Sequence, residues 1–185
     1  MTISPRLRED LLASVRSLRA FAVSLCGQQD RADDLVQETL VKAWSNIDSF
    51  EEGTNLQAWL FTILRNHYYS EIRKRRREVE DADGHYSRRL AMHPPQQGHL
   101  DLADFKSALS KLPDDQREAL ILVGASGFSY EEAARICNVA VGTIKSRVSR
   151  ARSQLAQQLN ISNETDIGPD TTAAAIYSSL GQRRA

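Results

Sequence analysis

The sequence predicts an all-α protein made of two small helical domains joined by a flexible linker, the second of them a helix-turn-helix domain. Three observations carry that prediction. Apolar residues recur at helical spacing from Arg6 to about Arg77 and again from Asp101 to Leu155. Between these blocks, Glu78 to Leu100, "EVEDADGHYSRRLAMHPPQQGHL", loses the periodicity and gathers Asp, Gly, Pro and Gln, the composition of a linker. Ser129 to Leu155, "SYEEAARICNVAVGTIKSRVSRARSQL", reads as a short capped helix, a tight turn and a second helix. A chain of 185 residues with 41% hydrophobic content suits two small cores. The domains are therefore expected at 5–77 and 101–161, with a linker at 78–100 and a disordered tail at 162–185.

In the first domain, Leu7, Leu11, Val15, Leu18, Ala22 and Leu25 form the stripe of one helix, which Cys26-Gly27 ends. A second helix runs from Asp30 to Trp44. Its first turn carries Asp30, Asp33 and Asp34, where carboxylates favour the helix dipole, and its buried side is expected to be Leu35, Val36, Leu40, Ala43 and Trp44. Asp34, Gln37, Glu38 and Val41 share one exposed strip that mixes acids, an amide and an apolar residue. Such a strip alone reads as a solvated face.

The polar loop "NIDSFEEGTN" follows, and Leu56 opens a third helix to about Arg77, with Trp59, Leu60, Ile63, Leu64 and Tyr68 inward. Asn66, Tyr69, Ser70 and Arg73 face outward, and the helix closes in the run Arg73-Lys74-Arg75-Arg76-Arg77. Cations stabilise a helix C-terminus, but five adjacent ones exceed that need. Beside outward Asn and Tyr side chains they fit a site that binds phosphates and stacks or hydrogen-bonds on exposed bases.

In the second domain, Leu102, Phe105, Leu109 and Leu112 stack in one helix, and Leu120, Ile121 and Val123 in the next, which opens at Pro113. Ser129 and Glu132 then form a capping box. Ala134, Val139 and Ile144 fall where a helix-turn-helix needs a small contact residue, a buried turn residue and a buried second-helix residue, and Asn138 is suited to the left-handed turn conformation. Ile144, Val148, Ala151 and Leu155 form the inward stripe of the last helix. Its remaining surface carries Lys145, Ser146, Arg147, Ser149, Arg150 and Arg152 after Thr143, without a carboxylate from Thr143 to Leu155. An ordinary surface helix interleaves acids with bases, so this face suits phosphates and guanine edges.

Composition narrows the function. With 24 basic and 24 acidic residues the net charge is zero, which argues against a protein that coats nucleic acid through its overall field. No apolar run approaches the roughly 20 residues of a membrane span, and "MTISPRLRED" has no signal-peptide segment, so a cytoplasmic chain without membrane contact is expected. Cys26 and Cys137 stand singly, as buried reduced thiols would. His85, His93 and His99 lie in the linker without metal-ligand spacing. No metal site, cofactor or catalytic residue is expected, and no phosphate loop or nucleophile-base pair suggests an enzyme.

"DLVQETLVKAW" at Asp34 to Trp44, "NLQAWLFTILRNHYYSEIRKRRR" from Asn55, "LPDDQREAL", "GFSYEEAA" and "GTIKSRVSRAR" together resemble extracytoplasmic-function (ECF) sigma factors of the sigma-70 family over about residues 10 to 160. The wording "ILVGASGFSYEEAA" resembles the alphaproteobacterial general-stress group. One departure is Cys137-Asn138-Val139-Ala140, where many relatives have Leu-Gly-x-Pro. The resemblance implies a subunit of bacterial RNA polymerase whose first domain recognises the promoter −10 element and whose second recognises the −35 element.

By motif, Asp34, Gln37, Glu38 and Val41 would meet the β′ clamp helices of core polymerase. Ser49, Phe50, Asn55, Asn66, Tyr69, Ser70, Arg73, Arg75, Arg76 and Arg77 would meet the −10 single strand, with a base extruded into the Ser49–Asn55 loop and Asn66. Thr143, Lys145, Ser146, Arg147, Ser149, Arg150 and Arg152 would face the −35 duplex. The resemblance also implies an anti-sigma partner, with the chain a monomer when free or 1:1 with that partner. Two other readings compete: a sigma-like decoy that only sequesters an anti-sigma factor, and a stand-alone repressor, which would leave the first domain unexplained.

Overall fold

The computed structural model describes residues 5–80 and 102–159. Seven α-helices account for them: α1 Pro5–Cys26, α2 Gln29–Ser45, α3 Leu56–Glu80, α4 Leu102–Ser110, α5 Asp114–Gly124, α6 Tyr130–Cys137 and α7 Val141–Gln158. No strand occurs among the described residues. The first three helices and the last four make the two helical regions that the periodicity predicts. Helix α3 continues through Glu80, three residues past Arg77. His85, His93, His99, the rest of the expected linker and the expected tail lie outside the described residues.

Helix α1 stops at Gly27, whose φ of 72° is open to glycine without strain. Leu11, Leu18, Phe21, Ala22 and Leu25 bury one side of it. Phe21 stacks on Phe61 of α3 with ring centroids 4.7 Å apart, and the Tyr68 hydroxyl donates to the Leu25 carbonyl at 2.7 Å. These contacts fix α3 across the end of α1. Phe61 is wholly buried, an inward residue missing from the predicted face of α3. Trp44 is a correction: expected inward, it is 58% exposed, because the buried line of α2 runs through Ala32, Leu35, Val36, Thr39 and Ala43 and leaves Trp44 on the side of Gln37 and Val41. A 3-10 turn, Ile47–Ser49, then leads through Gly53 (φ 92°) into α3.

In the second region Arg117 is buried and ties α5 to α4. Its guanidinium donates to the Ser110 and Leu112 carbonyls and pairs with Asp114 at 2.8 Å, so it covers carbonyls left open at the end of α4. The Ser129 hydroxyl accepts from the Glu132 amide at 3.1 Å, and the Glu132 carboxylate accepts from the Ser129 amide at 2.9 Å, completing the predicted capping box. Asn138 ends α6 at φ 53°, ψ 51°, and the Val139 amide reaches back to the Ala134 carbonyl at 3.0 Å. Ile144, Val148, Ala151 and Leu155 form the buried stripe of α7 as the spacing predicts.

The two regions pack on each other. The Phe61 and Phe128 rings meet in a T-shaped arrangement with centroids 5.0 Å apart, so an aromatic cluster runs from Phe21 through Phe61 into the second region. The buried apolar residues of both regions join in one cluster.

Candidate nucleic-acid interfaces

Asp34, Gln37, Glu38 and Val41 are all exposed on α2, so the strip exists as a surface. It borders a shallow cleft that α3 closes with His67, Glu71 and Arg75. His67 Nε2 lies 2.5 Å from the Glu38 carboxylate, and Nδ1 contacts the Lys42 ammonium. The His67 ring thus stands between the carboxylate and the ammonium of two α2 side chains one turn apart. Val41 at 60% exposure and Trp44 at 58% extend the strip with apolar area one turn further on.

The predicted −10 residues divide into three groups. Asn66, Ser70, Arg73, Arg75, Arg76 and Arg77 are exposed on α3. At the loop, the Ser49 hydroxyl donates to the Asn46 carbonyl at 2.7 Å, and Phe50 packs 5.3 Å from Trp59. Those contacts hold the loop against the start of α3.

Asn55 and Tyr69 form the third group, and both are engaged by the second region. The Asn55 side chain accepts from the Ala58 amide at 3.1 Å, capping α3, while its amide donates to Glu132 at 2.7 Å. Tyr69 was expected to face outward; it is half-buried, because α5 lies over it. Its hydroxyl is 3.4 Å from Glu118, and the Arg65 guanidinium sits 4.7 Å from its ring centroid. Arg65 Nε donates to Glu118 at 2.8 Å.

The Glu118 side chain is wholly buried and that of Arg65 is 17% exposed, so the pair is an ion pair within the contact between regions. Burial pushes the Glu118 carboxyl above its ordinary range, with Arg65 acting against it. Burial also raises Tyr69, and it pushes the Cys137 thiol beside Glu118 up to about 12. Cys26 is pushed up to about 11 by the same cause. Both thiols stay protonated at neutral pH; Cys137 is buried as expected, whereas Cys26 is only partly covered.

Sequence reading missed Arg65 and Glu118. The available signal was their place on apolar stripes: Glu118 shares a face with Ile121 and Leu122, and Arg65 with Phe61 and Tyr68. Opposite charges embedded in two buried stripes call for each other.

On α7, Lys145, Ser146, Ser149 and Arg150 are exposed, while Thr143 and Arg152 are partly covered. Lys145 lies 5.8 Å above the Tyr130 ring. Arg147 is 21% exposed and its Nε is 3.1 Å from Asp115 of α5. The helix lacks acids in its own sequence, but folding brings one to it from α5. What remains open is a basic and hydroxyl-bearing face after a rigid capped turn, suited to a DNA groove.

Two family models match this chain: Sigma-70 region 2 at residues 12–78, and Sigma-70, region 4 at 102–155. The chain is 62% identical over 181 residues to the ECF RNA polymerase sigma factor EcfG of Rhodopseudomonas palustris (strain TIE-1), covering 98% of this chain and 100% of that one. It is 32% identical to the ECF RNA polymerase sigma factor SigM of Bacillus subtilis (strain 168), covering 76% and 86%. Among solved structures it is similar to the sigma factor RpoE in complex with the anti-sigma factor NepR from Bartonella quintana, with 59% identity, a TM-score of 0.76, and coverage of 86% of this chain and 100% of that one. Sigma factors are transcription initiation factors and perform no chemistry of their own. The chain belongs to the ECF sigma factors of the sigma-70 family.

Proposed function

We propose that this protein binds core RNA polymerase in the cytoplasm, directs it to promoters of general stress-response genes, and is held inactive by an anti-sigma factor. The observation that carries this reading is the pairing of two exposed surfaces: the Asp34–Val41 strip on α2 and the basic face of α7. A stand-alone DNA-binding repressor has no use for the first. The likeness to EcfG and to a sigma factor bound to NepR supports the stress-response and anti-sigma parts. Absence of a membrane-spanning helix among the described residues accords with the cytoplasmic part.

The domains carry the division of labour: 5–77 for polymerase and the −10 strand, 101–161 for the −35 duplex, with 78–100 between them and 162–185 as a tail. Asp34, Gln37, Glu38 and Val41 meet the β′ clamp helices through many weak contacts, since exposed ion pairs contribute little singly. The α3 face and the Ser49–Asn55 loop take the −10 strand. Lys145, Ser149 and Arg150 meet the −35 duplex, with Arg147 joining them when it leaves Asp115.

Run-off transcription with core polymerase and a genomic promoter pool, with and without the full chain, tests the reading. Transcripts that depend on the chain, and that a NepR-type protein suppresses, are expected. A chain that binds the NepR-type protein yet yields no transcript is a decoy instead.

A further inference from the structure

We propose that Glu38, His67 and Glu71 form a binding site for a divalent cation of the zinc class, which clasps α2 to α3 and takes Glu38 out of the exposed strip. Its effect on polymerase rests on the reading that the strip meets the β′ clamp helices. His67 and Glu71 stand one turn apart on α3, the spacing at which two side chains reach one ion. Glu38 faces them from α2. One ligand atom from each of the three lies within 4.8 Å of the others. Ligand atoms about 2.1 Å from a tetrahedral zinc lie about 3.4 Å apart, so small side-chain rotations close the set.

Carboxylates alone do not make such a site, and the imidazole is what distinguishes this one. The His67 side chain is only 11% exposed, and its Nε2 is buried in the cleft without a hydrogen bond. Nε2 lies 2.5 Å from a Glu38 oxygen and 3.9 Å from a Glu71 oxygen, so two carboxylates crowd one nitrogen and neither is aligned to hydrogen-bond with it. Oxygens gathered around a ring nitrogen leave its lone-pair axis for a cation that all three share. An imidazole with two carboxylates suits zinc, whereas magnesium and calcium select oxygen ligands.

Arg31, Lys42 and Arg75 border the same cleft and oppose a cation, but Asp34, Glu38 and Glu71 balance them. Lys42, which contacts Nδ1, is exposed and turns to solvent when the ion holds Nε2 and Nδ1 carries the ring proton. Asp34, one turn before Glu38, and water remain to complete the coordination. The bound ion neutralises Glu38 and ties it to α3, removing a charge from the middle of the strip. Zinc thereby lowers the affinity of the chain for polymerase.

The test uses the full chain with His85, His93 and His99 replaced by alanine, so that His67 is its sole imidazole. Zinc chloride alone is the probe in titration calorimetry, and cobalt(II) chloride reports the ligand set by its visible absorption. One zinc per chain is expected, weakened about 100-fold by His67→Ala and by Glu71→Gln, since a ligand matters at least as much as an outer-shell partner. Absence of zinc binding, or binding that neither substitution weakens, overturns the proposal. So does a thiolate-to-cobalt charge-transfer band, which would place the ion on a cysteine. Should His67→Ala unfold, Glu71→Gln, on a side chain 36% exposed, decides alone.

Binding of the same proteins to immobilised core polymerase reads the consequence. Saturating zinc is expected to weaken the parent about fivefold, the weight of one exposed charge pair, and to leave Glu71→Gln unchanged. Equal responses of the two overturn the link to the strip. A parent that binds zinc but never polymerase removes the sigma-factor function and leaves the metal site standing.

Discussion

The two surfaces expected to meet DNA differ in availability. On α7 the basic face is open, and only Arg147 is drawn aside by a neighbour. On α3 the basic end is open as well, but Asn55, Arg65 and Tyr69 are engaged by side chains of the second region. A helix-turn-helix is a finished object: its capping box, left-handed turn and buried stripe are satisfied within about thirty residues of chain, so its outer face is free for ligand. The α3 face has polar groups that one region alone cannot satisfy. It takes partners from wherever they are offered.

The largest expected effect breaks that contrast at the ion pair. Arg65→Met leaves the Glu118 carboxylate buried without its cation and should destabilise the protein by about 3 kcal/mol in urea unfolding, whereas Arg65→Met with Glu118→Leu should recover most of the loss. Equal losses in both would mean that packing, not charge, joins the regions. Ser129→Ala acts inside the second region alone. It removes one half of the capping box and should lower stability by about 1 kcal/mol, with closure by scattering unchanged.

Smaller changes sharpen the contrast at α7. Lys145→Ala should weaken −35 duplex binding and reduce the salt slope by about one if Lys145 meets a phosphate. Asp115→Ala should release Arg147 and tighten duplex binding by up to about 1 kcal/mol, the range of an exposed pair. Binding isotherms at several salt concentrations on matched and mismatched duplexes check both. A tighter but less selective Asp115→Ala protein would identify Asp115 as the group that aims Arg147.

Acid should pull the two ends of the contact between regions in opposite directions. The Ser129 amide, and then Asn55, hold Glu132 below the usual carboxylate range. Its contribution is present above the ordinary glutamate pKa and is lost as pH falls through the depressed value. Glu118 is raised by burial, so its titration contributes on the acid side and that contribution fades as pH rises through the raised value. Thermal melts from about pH 7 to about pH 3 should show Glu132→Gln flattening the acid loss, and Glu118→Gln removing the opposing slope.

Local signals were readable in the sequence, and contacts between distant segments were not. Ser129 with Glu132, Asn138 in the turn, and the Ile144–Leu155 stripe are fixed by neighbours within a few residues, so spacing reveals them. The exposed strip from Asp34 to Val41 follows from the same periodicity. Trp44 was misplaced because an indole reads as core, whereas the buried line of α2 passes through the small or polar Thr39 and Ala43 and leaves Trp44 beside Gln37 and Val41. Tyr69 and Arg147 were expected free because α5, which covers both, lies far along the chain. Glu118, within "DDQREAL", resembles a solvated acid until α3 is laid against it.

Trp44 gives the protein a built-in optical reporter. The chain has two tryptophans. Trp59 is packed beside Phe50 at the loop, while Trp44 stands in water one turn beyond Val41. Under the proposed function, a partner seated on α2 would strip water from Trp44 and shift its emission to the blue, while DNA entering the Ser49–Asn55 loop would act on Trp59. Replacing either indole by phenylalanine would assign the two signals, so the order in which the protein engages polymerase and promoter can be followed without attaching a dye.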